Sequence, residues 1–160
     1  MMRMLSLTAA VLVCSVPQAS AQTQGTTVEI IRDAKASWME RLAAQEIRRY
    51  VYVRTGSLLN IRTAAGESAT TQLIVVGNKD REVITQCVPE GELRGTIDQL
   101  SAEQYVVKSV TEGDRKIMLL AGGDDVGTLY AAYQFAEQLG IRFYLHGDVI
   151  PDQRIPLELA

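Results

Sequence analysis

The chain has 160 residues, with 16 Lys+Arg, 19 Asp+Glu, one His and two Cys, and a formal net charge of −3. That acidic balance argues against a nucleic-acid partner, which requires a clustered basic face. The length is that of one domain, enough to bury roughly two-thirds of its unfolded surface without metal or disulfide staples.

The first residues read as a targeting segment rather than as fold. Arg3 supplies a positive start, Leu5 to Val16 is an uncharged, mainly apolar run, and Ala19-Ser20-Ala21 offers a small-x-small cleavage site before Gln22. This is the pattern of a secretory signal peptide over 1–21, and it predicts export to the periplasm or the outside. The run is shorter than the ~20 residues of a spanning helix, so no membrane association is expected after cleavage. Cys14 is not a lipoprotein cysteine, because Val13 stands where a small residue is wanted. Cleavage removes Cys14 and leaves Cys87 without an intrachain partner. It also removes Arg3, taking 16 basic residues to 15 against 19 acidic ones.

Residues 22–26 form a polar leader, and Thr27 to Arg32 alternates as a short strand. Ser37 and Glu40 match a capping box at the start of a helix, and Gly56 fits its left-handed stop. Between them Met39, Leu42, Ala43, Ile47, Tyr50 and Val53 fall on one side at helical period. Arg41, Arg48, Arg49 and Arg54 read as a solvated face. Glu46 breaks the apolar side; a carboxylate there needs a partner, and Arg142 or backbone amides of the sheet are the expected ones. Trp38 and Tyr52 project from the polar side.

Leu58 to Thr63 is a second short strand and Ala64 to Thr70 a polar loop. Gln72 to Val76 is continuously apolar, as suits a strand in a sheet interior or covered on both faces. Asp80 to Cys87 reads as a short helix ended by Pro89, and Gly91 to Gln99 as a weakly ordered link. Gln104 to Val110 and Lys116 to Ala121 flank the turn Glu112-Gly113-Asp114, a hairpin signal. Gly122-Gly123 ends that hairpin, and a helix capped by Asp124 or Asp125 runs to Leu139 before the Gly140 stop. Its apolar arc (Val126, Leu129, Ala132, Tyr133, Phe135, Ala136 and Leu139) is wider than one sheet face needs. Ile141 to Leu145 is a last strand, and Pro151 and Pro156 form a stiff exit with no further element. About six strands and two long helices, with hairpin and helix crossovers mixed, predict an α+β two-layer domain: a mixed β-sheet with two long helices on one face.

Few residues carry a chemical signal. Gly122-Gly123-Asp124-Asp125-Val126-Gly127 precedes a helix but matches neither G-x-x-x-x-G-K-[ST] nor G-x-G-x-x-G, and its two carboxylates oppose an anion. It reads as a turn and cap. Asp124 and Asp125 are adjacent and diverge, whereas glycoside hydrolysis wants carboxyl groups ~5–9.5 Å apart across a cleft. His146, the only histidine, reads as a loop residue; no second His supports a metal and no G-x-S-x-G elbow supports a triad.

Four segments, in order, resemble one family: Ala43-Ala44-Gln45-Glu46-Ile47-Arg48-Arg49-Tyr50 with Thr55-Gly56; Leu73-Ile74-Val75-Val76-Gly77; Glu103-Gln104-Tyr105-Val106-Val107; and Leu119 to Tyr144. They resemble the N-terminal domain of secreted α-glucuronidases and are similar to the second domain that precedes the barrel in β-N-acetylhexosaminidases. The resemblance covers 27–151, nearly all of the chain after its leader. It implies a hexosaminidase-domain-2-like fold and a non-catalytic accessory role in an exported glycoside hydrolase that degrades polysaccharide. It places the catalytic carboxylates in a (β/α)8 barrel, which alone takes ~250 residues. The barrel is therefore expected in cis beyond Ala160, with 152–160 the start of the linker and the chain itself a piece cut before the catalytic half. No catalytic, cofactor or metal residue carries over to this chain. Trp38, Tyr52 and Phe135 are the expected contacts to the barrel, and a poly- or oligosaccharide is a further partner. The competing expectation is a stand-alone secreted carbohydrate-binding or adhesive module.

Overall fold

The computed structural model describes residues 28–63 and 70–159. The signal peptide with its cleavage site and Cys14, the polar leader, Thr27, most of the 64–70 loop and Ala160 lie outside the described residues. Among the described residues, no helix is long and apolar enough to cross a membrane.

The elements follow in the order β1 (Val28–Arg32), α1 (Trp38–Thr55), β2 (Asn60–Arg62), β3 (Gln72–Asn78), α2 (Glu82–Cys87), α3 (Glu92–Asp98), β4 (Tyr105–Glu112), β5 (Arg115–Gly122), α4 (Asp125–Gln138), β6 (Arg142–Tyr144) and β7 (Gly147–Val149). The main sheet has the order β2-β1-β3-β5-β4. Its pairs are parallel except β4 with β5, which is antiparallel. It is the expected mixed sheet, with the two long helices on one face.

The two-residue period of the strands builds the core. In register, Ile30 lies beside Ile74 and Ile74 beside Met118. This row, with Val76 and Leu120, packs against Ala43, Ala44 and Ile47 of α1 and Ala131, Ala132 and Phe135 of α4. The alternate row, Ile31, Val75 and Leu119, faces Val83, Ile84 and Cys87 of α2 and Ile97 of α3. β3 is apolar at successive positions because both its faces are covered. Cys87 is a buried, unpaired core residue, and that burial pushes its thiol up to about 11.

Helix α1 begins and ends as its sequence predicts. Ser37 Oγ accepts from the Glu40 amide and the Glu40 carboxylate accepts from the Ser37 amide. Gly56, at φ 79°, donates its N–H to the Tyr52 carbonyl. The C-terminus of α1 departs from expectation. Arg54 is not part of a solvated face; it is buried. Its Nε donates to the Leu139 carbonyl at 2.7 Å and its Nη1 to the carbonyls of Pro151, at 2.8 Å, and Gln153. A guanidinium is the group that can grip several carbonyls at once.

Three further differences have local causes. The expected weak link at Gly91 to Gln99 is helix α3, because Ile97 is buried and Leu93 packs on the core; Gly95 in its middle obscured the period. The expected single strand at Ile141 to Leu145 is a hairpin. Ile141 is buried beside Tyr50 and Ala136, and β6 turns through Leu145 and His146 to pair with β7, Tyr144 opposite Gly147. Residues 152–159 have no regular structure, as expected of the exit, yet they stay on the domain. The Ile155 amide donates to the Arg54 carbonyl, and Leu157 and Leu159 pack on the core.

Candidate functional site

In open α/β sheets ligands gather at the carboxyl ends of the strands, where successive connections leave in opposite directions. Here that point lies between β1, whose connection runs to β2, and β3, whose connection runs towards β5. It is filled by the protein's own anion. Glu40, fully buried, sits in the first turn of α1, where the helix dipole favours negative charge. Its carboxylate accepts from the Asn78 amide at 2.9 Å, from Arg81 Nε at 2.9 and 3.0 Å, and from Arg81 Nη2 at 2.7 Å. Hydrogen bonding to Glu40 raises the Arg81 guanidinium above its usual value. Asn78 Nδ2 donates in turn to Asp125 Oδ1 at 2.7 Å. The start of α1, the end of β3, the residue before α2 and the start of α4 are thereby joined at the carboxyl end of the sheet. The residual hollow there, about 380 Å³, is rimmed by Trp38, Asp80, Asp124 and Asp125, an acidic surround that opposes a phosphate.

The glycine turn beside it serves packing. Asp124 is the cap of α4: its Oδ1 accepts from the Gly127 amide at 2.7 Å and from the Glu103 amide at 3.1 Å. Asp125 instead serves Asn78, so the adjacent acids divide between two structural bonds. A Cβ on Gly122 would meet the Thr128 backbone, one on Gly123 the Ser101 carbonyl, and one on Gly127 the Gln104 carbonyl. Gly127→Ala therefore tests packing against propensity. Alanine gains about 1 kcal/mol inside a helix, but here the backbone collision must be relieved. The expected net effect is a loss of about 1–3 kcal/mol, read from urea denaturation; a stabilised variant would refute the close approach.

The cap also has a pH signature. The hydrogen bond from the Gly127 amide, aided by that from Glu103, lowers the Asp124 carboxyl below its usual value. A carboxyl depressed in the folded state contributes stability above its unfolded value, about 4, and loses that contribution as pH falls through the folded value. Asp124→Asn is expected to flatten this acid limb of the stability–pH curve by removing the contribution made at neutral pH, leaving the stability below the folded value little changed. An unaltered acid limb would show that the cap does not titrate.

The second concave region lies between α1, α4 and the β6–β7 hairpin, a cavity of about 540 Å³ lined by Glu46, Arg49, Tyr50, Tyr133, Phe143 and Asp148. Glu46 is only 16% exposed in its side chain, but its partner is neither Arg142 nor a sheet amide. It is Arg49, one turn along, at 3.2 Å. The i,i+3 neighbour reaches it first, while Arg142 is taken by the carbonyls of Glu137 and Ile141. Tyr50 donates its hydroxyl to Asp148 Oδ2 at 2.6 Å. Arg49 Nη2 stands 3.6 Å from the same oxygen, and the Arg49 guanidinium lies 4.8 Å from the Tyr50 ring centre. Burial, then the Asp148 bond, push the Tyr50 phenol well above its usual value, so it stays a donor. Phe143 meets Tyr50 and Tyr133 edge to face, with ring centres 5.6 and 5.1 Å apart. No local pattern marks this cluster; only Glu46 near Tyr50 on the apolar side of α1 was visible in the sequence, where Arg49 read as part of the solvated face.

The remaining singled-out residues fall as follows. His146 is an exposed loop residue stacked on Tyr144 at 5.6 Å. Among the described residues no group of His, Cys, Asp and Glu is placed to hold a metal. Trp38 and Tyr52 are 62% and 46% exposed. Phe135 is not a surface aromatic: at 3% exposure it belongs to the core between α4 and the sheet, because the apolar arc of α4 is used against both the sheet and α1.

Comparison with known proteins adds the following. The profile of the family described as "Glycosyl hydrolase family 67 N-terminus" matches residues 14–135. Among solved structures, a family GH115 4-O-methyl-α-glucuronidase with specificity for decorated arabinogalactans shares the fold, with a TM-score of 0.54 at 16% identity over 72% of this chain. The match spans 14% of that enzyme's chain. No curated protein matches.

Proposed function

We propose, for a chain that belongs to the glycosyl hydrolase family 67 N-terminus, that it is the non-catalytic accessory domain of an exported α-glucuronidase-like glycoside hydrolase. The observation that carries the reading is the state of its acids. At the carboxyl end of the sheet, where chemistry gathers in open α/β folds, Glu40, Asp124 and Asp125 are each committed to bonds that hold the fold. The catalytic carboxylates then belong to a (β/α)8 barrel C-terminal to Ala160 in the parent protein, which acts in polysaccharide breakdown. The profile's description and the glucuronidase fold neighbour support the α-glucuronidase form over the hexosaminidase one. Export rests on the leader over 1–21.

Trp38 and Tyr52, exposed on α1, are the side chains assigned to contact the barrel. Hydrolysis of an aryl α-glucuronide tests the division of labour: the chain alone is expected to be inactive and the parent protein active. Turnover by the purified 160-residue chain would overturn the reading. Trp38→Ser is expected to lower the melting temperature of the parent enzyme and leave that of the lone chain unchanged. Mass spectrometry of the exported protein is expected to find Gln22 at the N-terminus, and an uncleaved cytosolic form would remove the export claim.

A further inference from the structure

We propose that the cavity between α1, α4 and the β6–β7 hairpin binds a neutral pyranose ring of a polysaccharide. The inference rests on the accessory-domain reading and names the ligand of that domain. The cavity, about 540 Å³, falls within the size range of small-ligand sites, which combine apolar walls with a few placed polar groups. Its apolar walls are Tyr133 and Phe143, both partly exposed. They are held at right angles to their neighbours by edge-to-face contacts. Such rings offer flat surface to the C–H face of a sugar.

The polar groups match hydroxyls. Glu46 and Asp148 are acceptors and Arg49 is a donor, and all are fixed before any ligand arrives. Arg49 bridges the two carboxylates at 3.2 and 3.6 Å, and Asp148 is anchored by the Tyr50 hydroxyl at 2.6 Å. Pre-organisation of this kind lowers the ordering cost of binding.

Charge selects the kind of sugar. Two carboxylates face one guanidinium, so the lining carries a net negative charge and disfavours a uronate. A ligand cation is disfavoured too, because Arg49 already occupies the Tyr50 ring at 4.8 Å. A purely apolar ligand would strip water from three charged groups without replacing their hydrogen bonds. A neutral polyol satisfies all of these conditions.

The test uses the 160-residue chain and a matched pair, methyl β-glucopyranoside and methyl β-glucuronopyranoside, which differ only in the oxidation state of one carbon. Binding is followed by ligand-observed nuclear magnetic resonance. The neutral glycoside is expected to bind with a Kd on the order of 1 mM. The uronide should bind roughly fourfold more weakly, the effect of one like charge across ~5 Å of hydrated cavity. Glu46→Gln should bring the pair to near parity, and Phe143→Ala should weaken both by about tenfold; the fold of each variant is checked by circular dichroism. Absence of binding by the folded wild-type chain would overturn the proposal. So would equal or tighter binding of the uronide, or an unchanged preference in Glu46→Gln. Hydrolysis of the aryl α-glucuronide is assayed on the same samples, so a failure of the non-catalytic reading is seen separately from a failure to bind.

Discussion

Glu40→Ala is expected to lower the unfolding free energy by about 3 kcal/mol, the lower end of the range for breaking a buried ion pair by removing one partner. The carboxylate has no exposed surface. Its loss strands the Ser37 and Asn78 amides and the Arg81 guanidinium together. Arg81 keeps 25% of its side chain exposed, so water partly recovers its charge, and this places the cost at the low end. The capping box goes with the same substitution, worth about 1 kcal/mol of that total. Urea denaturation at neutral pH measures the change through the midpoint at constant slope. Two controls sharpen it. Glu40→Gln keeps the shape and can still accept from Asn78, but turns its amino group towards Arg81 or Ser37, so an intermediate loss is expected. Glu40→Met with Arg81→Met removes both charges and should recover much of the stability, as apolar replacement of buried pairs often does. A loss well below about 1 kcal/mol for Glu40→Ala would mean that the pair is only a solvated contact.

Arg54→Met should cost about 2–3 kcal/mol, on the scale of hydrogen bonds to charged groups. Methionine retains the apolar stem, so the change isolates the guanidinium. The carbonyls of Leu139, Pro151 and Gln153 all lose their donor. Pro151 and Gln153 are exposed residues and can turn to water, which keeps the penalty below three full bonds. The signature is local as well as global. The segment 151–159 is tied down by Arg54 and by the Ile155 amide on the Arg54 carbonyl, so limited proteolysis is expected to cut there faster in the variant. Arg54→Lys should rescue little, since an ammonium lacks the planar fork that reaches separate carbonyls. Unchanged melting and unchanged cleavage would show that the tail is held by Leu157 and Leu159 alone.

Both predictions concern charged residues whose weight was hidden in the sequence. Glu40 was visible as half of a capping box, because Ser37 stands three residues before it. Its pairing with Arg81, 41 positions away, left no local trace. Arg54 carried the same letter as Arg41 and Arg48, which are exposed as a solvated face should be. Only its place at the last turn, against the end of α4, makes it a core residue. Glu46 shows the opposite outcome: a long-range partner was expected and a neighbour on the same helix took it. Helix α3 and the β6–β7 hairpin were missed because their evidence is packing: Ile97 into the sheet, and Phe143 against Tyr50.

The sequence by itself determined whatever is written within a turn or a strand. It marked the capping box at Ser37, the Gly56 stop, the Gly113 hairpin, the buried run of β3 and the two long helices on one face of a mixed sheet. These depend on bonds spanning a few residues and on periods of two or 3.6, so adjacent letters carry them. Tertiary structure alone decided which charges are buried and where a ligand would fit. Tyr50 and Asp148 lie 98 positions apart, and Arg54 and Pro151 lie 97 apart. Such pairs meet only after the sheet order has set the elements side by side. Their strength depends on water having been excluded around them, a property of the folded molecule rather than of any stretch of its chain.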